Sequence, residues 1–332
     1  MAKLRIGHFG SFGHPVLRPL KGHPRAELVA TCEIQRDQLV SLWGADHPGL
    51  DDVQQTSTLE ELMSLCDAVV FCSPMRYQQP DQCIQALKAG KHVLAEKPCA
   101  FTKDQVDELI DLDRRGPARF LEMGGTTLTP ALVRMREIVW AGDLGDILCV
   151  QALKSYPVSG RRPPDERLDA GLIMQSGIHG ARAMQEVTGL TITEVMSYET
   201  KAGNLGRGEL RMVASSICRF DNGAVGNMTM NYLNPLKFGS HGNDQLRLFG
   251  AKGMIEAVDD NSRLRIATGD APLEDIEPAP TQPSYFDLFV EHVLDGKEMP
   301  LPLERELQST LTVIAMNAAA KTGRAVTVPV LR

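Results

Sequence analysis

The sequence predicts a two-domain α/β protein, and three observations predict it. Short apolar runs alternate with amphipathic stretches over the first 125 residues. Beyond them, strand-like runs follow one another with turn signals between. At 332 residues the chain is also longer than one ordinary core requires. The runs LRIGHF, ELVATCE, DAVVFCS and KHVLAEK are continuously apolar instead of alternating, which marks strands buried on both faces and hence a parallel sheet flanked by helices. Between them, Ser57 to Glu60 and Thr102 to Gln105 fit the S/T-x-x-E/Q capping box. ALKAG stops a helix at Gly90, and DRRGP stops another at Gly116 and Pro117. This places a first domain at 1–124 and a second at 125–332. In the second, PALVRMREIVWAG reads as a helix, DILCVQALKS as a strand, YPVSGRRPPDERLDAG as a polar loop and LIMQSGIHGARAM as a helix. Asn222-Gly223 inside SSICRFDNGAVGNMTM signals a hairpin, so the sheet there is mainly antiparallel. APLEDIEPAPTQP is a loop leading to two closing helices, around 284–295 and 303–322.

Composition narrows the function classes. A chain that is 43% hydrophobic and 23% charged is an ordinary globular one. The net charge of -7, with no cluster of Lys and Arg, argues against a nucleic-acid or anionic-membrane surface. No run approaches the roughly 18 apolar residues of a membrane span, and no secretory apolar core follows the N-terminus, so a cytoplasmic protein is expected. Seven cysteines, odd in number and without a C-x-x-C, read as reduced thiols with no metal site.

KLRIGHFGSFGHP places Gly7, Gly10 and Gly13 at the end of the first strand, where glycines let backbone N–H groups and a helix N-terminus meet a pyrophosphate. The G-x-G-x-x-G spacing is not met: Phe12 stands where the second glycine belongs. A shifted loop is expected, with Gly10, Ser11, Phe12 and Gly13 on the cofactor, Gly13 allowing the close approach and Pro15 in the helix's first turn. Glu33 ends the second strand, 20 residues after Gly13, where an acid hydrogen-bonds ribose hydroxyls and repels a 2′-phosphate. Taken singly, it reads equally as a strand-end surface residue. NAD(H) is therefore preferred, while Arg36 close by keeps NADP(H) open.

AGKHVLAEKPCAFT ends a strand with Glu96-Lys97-Pro98. Ligands of open α/β sheets bind at the carboxyl ends of strands, so Lys97 points either toward the cofactor crevice or, snorkelling, to solvent. Here the chain resembles the glucose-fructose oxidoreductase and inositol dehydrogenase family (Gfo/Idh/MocA). G-K-H-V-x-x-E-K-P is the specific string, and DAVVFCSPMRYQQPDQCIQALKAGKHVLAEKP is similar to the family's nicotinamide-side segment. REIVWAGDLGDILCVQA, DAGLIMQSGIHGARAM, RFDNGAVGNM and LRLFGAKGMIEA are similar to its later segments. The resemblance implies a Rossmann domain with a doubly wound parallel sheet, then an α/β domain with a large open, mainly antiparallel sheet. It further implies a homodimer or homotetramer through that sheet, and hydride exchange between NAD(P) and a sugar or polyol. Residue by residue it puts Ser73, Pro74 and Glu96 with the cofactor, Lys97 as catalytic lysine and His179 as catalytic histidine. The chain departs from the pattern at Gln175, where the family has Asp, and at Met75, Gln78, Thr127 and Arg182.

Hydride transfer from a secondary alcohol needs a base for the hydroxyl proton and a charge that steadies the alkoxide. His179 suits the first role and Lys97 the second; Gln175 positions substrate through its amide. Read from the residues alone, His179 is equally a satisfied core histidine. Without a carboxylate at 175, Arg182 with Arg161 and Arg162 makes a positive pocket, suited to a carboxylated or phosphorylated sugar, unless the two loop arginines are surface charges. Tyr156 is a further lining candidate. Gly171, Gly177 and Gly180 in and before the helix imply that substrate or nicotinamide approaches its backbone closely. The leading reading is an NAD(P)-dependent oxidoreductase acting on a sugar, polyol or sugar acid. An NAD-dependent glycoside-cleaving enzyme and a non-catalytic sensor are the alternatives.

Overall fold

The computed structural model describes residues 3–158, 162–240 and 242–331. Six parallel strands form one sheet: β1 (Leu4–Phe9), β2 (Ala26–Cys32), β3 (Gln54–Thr56), β4 (Ala68–Phe71), β5 (His92–Ala95) and β6 (Phe120–Glu122). Their order, β3-β2-β1-β4-β5-β6, is the doubly wound order of a dinucleotide-binding sheet. The connecting helices are α1 (Leu17–Leu20), α2 (Arg36–Trp43), α3 (Leu59–Leu65), α4 (Gln79–Lys88) and α5 (Lys103–Arg115). The first capping box sits one residue later than expected. Thr58, not Ser57, caps α3, accepting the Glu61 N–H at 3.1 Å while Glu61 accepts the Ser57 N–H at 2.8 Å. Thr102 caps α5 as its sequence implies, accepting the Gln105 N–H at 3.2 Å.

The second sheet follows α6 (Pro130–Trp140) and begins with β7 (Ile147–Ser155). After α7 (Glu166–Asp169) and α8 (Gly171–Thr188) come β8 (Ile192–Thr200), β9 (Val213–Phe220), β10 (Val225–Asn231), β11 (Gln245–Gly250), β12 (Gly253–Val258), β13 (Arg263–Thr268) and β14 (Glu274–Asp275). The helices α9 (Tyr285–Asp295) and α10 (Leu303–Thr322) precede β15 (Val326–Thr327). The sheet order is β14-β13-β12-β11-β7-β10-β9-β8-β15, antiparallel except for the parallel pair β7 and β10. The β9–β10 hairpin turns at Asn222-Gly223: Gly223 takes φ 89° and Asn222 accepts the Ala224 N–H at 2.9 Å.

The chain divides into two compact units, residues 1–123 with 284–303, and residues 124–283 with 304–332. Segment 284–303, expected with the second domain, belongs to the first unit because α9 is amphipathic toward that core. Phe286, Phe289 and Val290 pack with Leu4, Ile6, Val70, Leu94, Leu39 and Trp43. Burying each such apolar side chain stabilises by about 1.5–3 kcal/mol. In the second unit, α8 lies on β7 and β10, and nearly all its residues are buried. Among the described residues no helix is long and apolar enough to cross a membrane, and no cluster of metal-ligating side chains occurs.

Candidate active site

The carboxyl ends of β1, β2, β4 and β5 carry the first unit's cluster. Gly10 follows β1 with φ 67°, and a Cβ there would lie 2.3 Å from the Cys72 carbonyl oxygen, with Pro74 on the same side. Its N–H donates to the Cys32 carbonyl at 2.8 Å, and the Phe12 N–H to the Cys72 carbonyl at 3.0 Å. The Phe12 carbonyl in turn accepts from Arg76 Nη2 at 2.7 Å, and Arg76 is buried and also donates to Gln79 Oε1 at 2.9 Å. Gly13 takes φ 113°, and a Cβ on it would lie 2.7 Å from Glu96 Cδ. The group pressed against Gly13 within the protein is thus a carboxylate, where the sequence suggested a pyrophosphate. Pro15 lies before α1, whose N-cap is Val16, and not inside its first turn.

Glu96 and Lys97 follow β5 and are 1% and 5% exposed. Glu96 accepts the His14 N–H at 2.7 Å, meets the His14 ring Nδ1 at 3.0 Å, and lies 3.8 Å from Lys97 Nζ. Burial opposes charge on Glu96, but the hydrogen bond and charge of His14, with Lys97 and Arg76, hold the carboxyl down to about 2. The Lys97-Pro98 peptide is cis. Glu33, exposed and at φ 57°, stands directly beyond β2. Arg36 opens α2 and donates to Asp51 Oδ1 at 2.7 Å and the Leu50 carbonyl at 2.9 Å. Ser73 is buried, and its hydroxyl donates to Gln82 Oε1 at 2.6 Å.

In the second unit the structure brings Tyr156, Arg162 and Gln175 together. The Gln175 amide nitrogen, with two N–H donors, lies within hydrogen-bond distance of the hydroxyls of Tyr156 and Tyr232 and of Ser176 Oγ, the last at 2.8 Å. The Arg162 guanidinium lies 4.9 Å from the Tyr156 ring centre and 5.3 Å from that of Tyr232, and 3.5 Å from Asp169 Oδ2. Burial pushes the Tyr232 hydroxyl well above the usual tyrosine range. His179, one helical turn beyond Gln175, is half-buried, with Nδ1 2.7 Å from Thr126 Oγ1. It lines a narrow cleft of about 20 Å³ with Lys154, Asp244 and Asn261, in which Lys154 Nζ meets Asp244 Oδ2 at 2.5 Å.

Three expectations are corrected, and a fourth lies beyond reach. Arg182, expected to face substrate, is 0% exposed, and its Nη2 lies 4.0 Å from the buried Glu306 Oε1. Arg162, expected in a positive pocket with it, lies 3.5 Å from the buried Asp169 carboxylate and is partly balanced by it. The partners of the helix glycines are the chain's own side chains. A Cβ on Gly177 would meet Met230 Sδ at 2.8 Å, one on Gly180 would meet Met228 Sδ at 2.1 Å, and one on Gly171 would meet the Glu166 carboxyl at 2.8 Å. Arg161 falls outside the described residues. Sequence reasoning passed over His14, Arg76, Thr126, Lys154 and Tyr232. Tyr232 was discoverable only through the parallel register that pairs Asn231 with Ser155 and so sets it beside Tyr156.

A doubly wound sheet with a glycine turn at β1 and an acidic residue beyond β2 defines the class of NAD-binding oxidoreductases, here joined to a second, mainly antiparallel unit. The model of the oxidoreductase family with an NAD-binding Rossmann fold matches residues 4–122, and that of the Gfo/Idh/MocA C-terminal domain matches residues 132–256. The chain belongs to the Gfo/Idh/MocA oxidoreductases. It is 25% identical over 300 residues to the uncharacterized oxidoreductase YrbE of Bacillus subtilis, covering 87% of this chain and 81% of that protein. It is 30% identical over 167 residues to D-glucoside 3-dehydrogenase of Escherichia coli, 49% of this chain and 47% of that one. The crystal structure of the WlbA dehydrogenase from Bordetella pertussis, in complex with NADH and UDP-GlcNAcA, shares its fold. The TM-score is 0.78 at 19% identity, over 99% of both chains.

Proposed function

We propose that this oxidoreductase exchanges a hydride between NAD(H) and a secondary hydroxyl of a neutral sugar or polyol. The observation that carries the reading is His179, half-buried in a cleft whose cationic side chain, Lys154, faces a carboxylate. A cleft balanced in this way suits a polyhydroxy ligand better than an acid. The E. coli relative is a glucoside dehydrogenase, which agrees with that class.

The residues of the glycine turn fit a dinucleotide. The N–H groups of Gly10, Phe12 and His14 are engaged by Cys32, Cys72 and Glu96, so the alternate pair, on Ser11 and Gly13, is what the turn offers to phosphate oxygens. Glu33 accepts from ribose hydroxyls and disfavours a 2′-phosphate, while Asp51 and Leu50 engage Arg36, so NAD(H) is preferred over NADP(H). When bound, the nicotinamide supplies the hydride chemistry. Lys97, buried at the end of β5, steadies the alkoxide that develops on substrate. His179 takes the hydroxyl proton on Nε2, which requires Nδ1–H to donate to Thr126 Oγ1. Gln175 takes no proton; held by the two tyrosine hydroxyls, it orients the polar wall.

Nicotinamide absorbance in the presence of NAD and a panel of neutral sugars and polyols tests the reading. On a responding substrate, Lys97→Ala and His179→Ala are each expected to lower kcat by about 10²–10⁴-fold. Near-wild-type turnover in both would end the assignment.

A further inference from the structure

We propose that Arg76 is a positioning residue for the cofactor: from behind the glycine turn it fixes the Phe12–Gly13 peptide so that the Gly13 N–H is presented to the pyrophosphate. The inference rests on the NAD(H) reading and adds to it a buried cation that lies outside the glycine motif.

Arg76 opens the short 3₁₀ turn Arg76–Gln78 that leads from β4 into α4. It is 2% exposed, and its fork spans two partners. Nη2 donates to the Phe12 carbonyl at 2.7 Å, and Nη1 to Gln79 Oε1 at 2.9 Å. Gln79 is fully buried and tied to two strand ends. Its Oε1 accepts the Ser73 N–H at 3.3 Å beyond β4, and its Nε2 donates to the Glu96 carbonyl at 2.5 Å beyond β5. A guanidinium holds its donors in one rigid plane, so this chain of buried hydrogen bonds fixes the Phe12 carbonyl relative to the sheet. The same guanidinium lies 6.0 Å from the Phe12 ring centre. Phe12 is the residue at which the chain departs from the G-x-G-x-x-G spacing, and Arg76 meets both its ring and its carbonyl.

Peptide geometry carries this to the next residue. The bonds of the turn are trans, and across a trans peptide the C=O and the following N–H point to opposite sides. With the Phe12 carbonyl turned onto buried Arg76, the Gly13 N–H is turned away from it. Gly13 is exposed, and its N–H has no partner among the described residues. A hydrogen bond at the carbonyl also polarises the peptide, which makes the N–H at its other end a stronger donor for a phosphate oxygen. Glycine at 13 would let an unanchored peptide flip at little steric cost, so the anchor is what keeps one orientation.

Calorimetric titration with NADH and with ADP-ribose, beside ligand-observed NMR titration with adenosine, tests the assignment. ADP-ribose carries the pyrophosphate without the nicotinamide, and adenosine carries neither. Arg76→Met, an unbranched side chain without donors, is expected to bind NADH and ADP-ribose about 10-fold more weakly and adenosine within about twofold of the wild type. Arg76→Lys, whose ammonium supplies donors but not the planar fork, is expected to bind the two pyrophosphate ligands about threefold more weakly than the wild type. Unchanged affinity for ADP-ribose in Arg76→Met would overturn the proposal. So would a loss shared equally by adenosine, since the residue would then only support the fold of its unit. Should Arg76→Met not fold, Arg76→Lys decides alone: a loss confined to the pyrophosphate ligands upholds the assignment, and wild-type affinity for all three overturns it. Failure of the wild-type protein to bind NADH or ADP-ribose would instead overturn the NAD(H) reading, and the proposal with it.

Discussion

Gln175, His179 and Arg182 share one stripe of α8, yet each meets a different environment: a pair of tyrosine hydroxyls, the Thr126 hydroxyl, and the carboxyl of Glu306. Spacing along a helix fixes the angle at which a side chain leaves, and says nothing of what stands opposite. Arg182 is the sharpest case, being fully buried between two buried acids of its own unit, Glu306 and Glu186. Burial pushes the Glu186 carboxyl up, against the pull of Arg305 and Arg182. Removing one partner of such a group leaves an uncompensated charge in a medium that solvates it poorly. Arg182→Ala is therefore expected to destabilise the second unit by about 3–5 kcal/mol in urea unfolding, while KM of the folded fraction stays within twofold. A selective rise in KM with unchanged stability would return this arginine to the substrate wall.

At the scale of the element, α8 and its sheet meet through glycine. Gly180 faces the fully buried Met228 and Gly177 faces the equally buried Met230, so helix and strands approach more closely than a methyl group allows. Exchanging glycine for alanine inside a helix gains about 1 kcal/mol of propensity, whereas overpacking a filled core costs about 1–3 kcal/mol. At Gly177, 2.8 Å from a flexible thioether, the two effects nearly cancel. At Gly180, where the sulfur would be 2.1 Å away, overpacking wins. Gly180→Ala is expected to lower thermal stability while Gly177→Ala is close to neutral, and shortening the neighbour in Gly180→Ala/Met228→Ala should recover part of the loss. Equal effects at the two positions would sink the packing account. What the sequence made legible at this scale has the same local character. Continuous apolar runs mark β1, β2, β4 and β5, and Asn-Gly marks the β9–β10 turn, because burial and turn chemistry are written in adjacent residues. The edge strands β3 and β6 are only three residues each and too short to carry a pattern. The parallel pairing of β7 with β10, which assembles the Tyr156–Tyr232–Gln175 group, joins residues some 75 apart and leaves no local trace.

For the whole molecule, acid stability turns on groups in separate units. His8, on the central strand β1, is 0% exposed and makes no side-chain ion pair among the described residues, and burial pushes it down to about 4 against the opposing pull of the Gly10 backbone. An unfolded histidine titrates near 6.5, so the unfolded chain binds the proton first. The first unit should hold its full stability above that value and lose about 3 kcal/mol as the pH falls toward 4. His92, also lowered by burial, acts with the same sign, while Glu96, held at about 2, begins to matter only below the ordinary carboxyl range of about 4.5. The second unit carries an opposing group. Burial and the nearby Glu199 push Glu166 up to about 7, so its contribution is complete below about 4.5 and lost as the pH rises through 7. That carboxyl is half-buried and its interactions are screened by solvent, so His8 dominates the balance. The two tryptophans separate the units: Trp43 is buried in the first core and donates to the Leu17 carbonyl at 2.7 Å, and Trp140 is exposed on α6 in the second. In a Trp140→Phe background, Trp43 fluorescence should follow a urea midpoint that is flat above pH 6.5 and falls toward pH 4. Adding His8→Leu, which replaces the buried imidazole by an apolar side chain, should remove most of that fall and leave the smaller slope due to His92. Parallel acid profiles with and without His8 would show that the proton is taken up elsewhere.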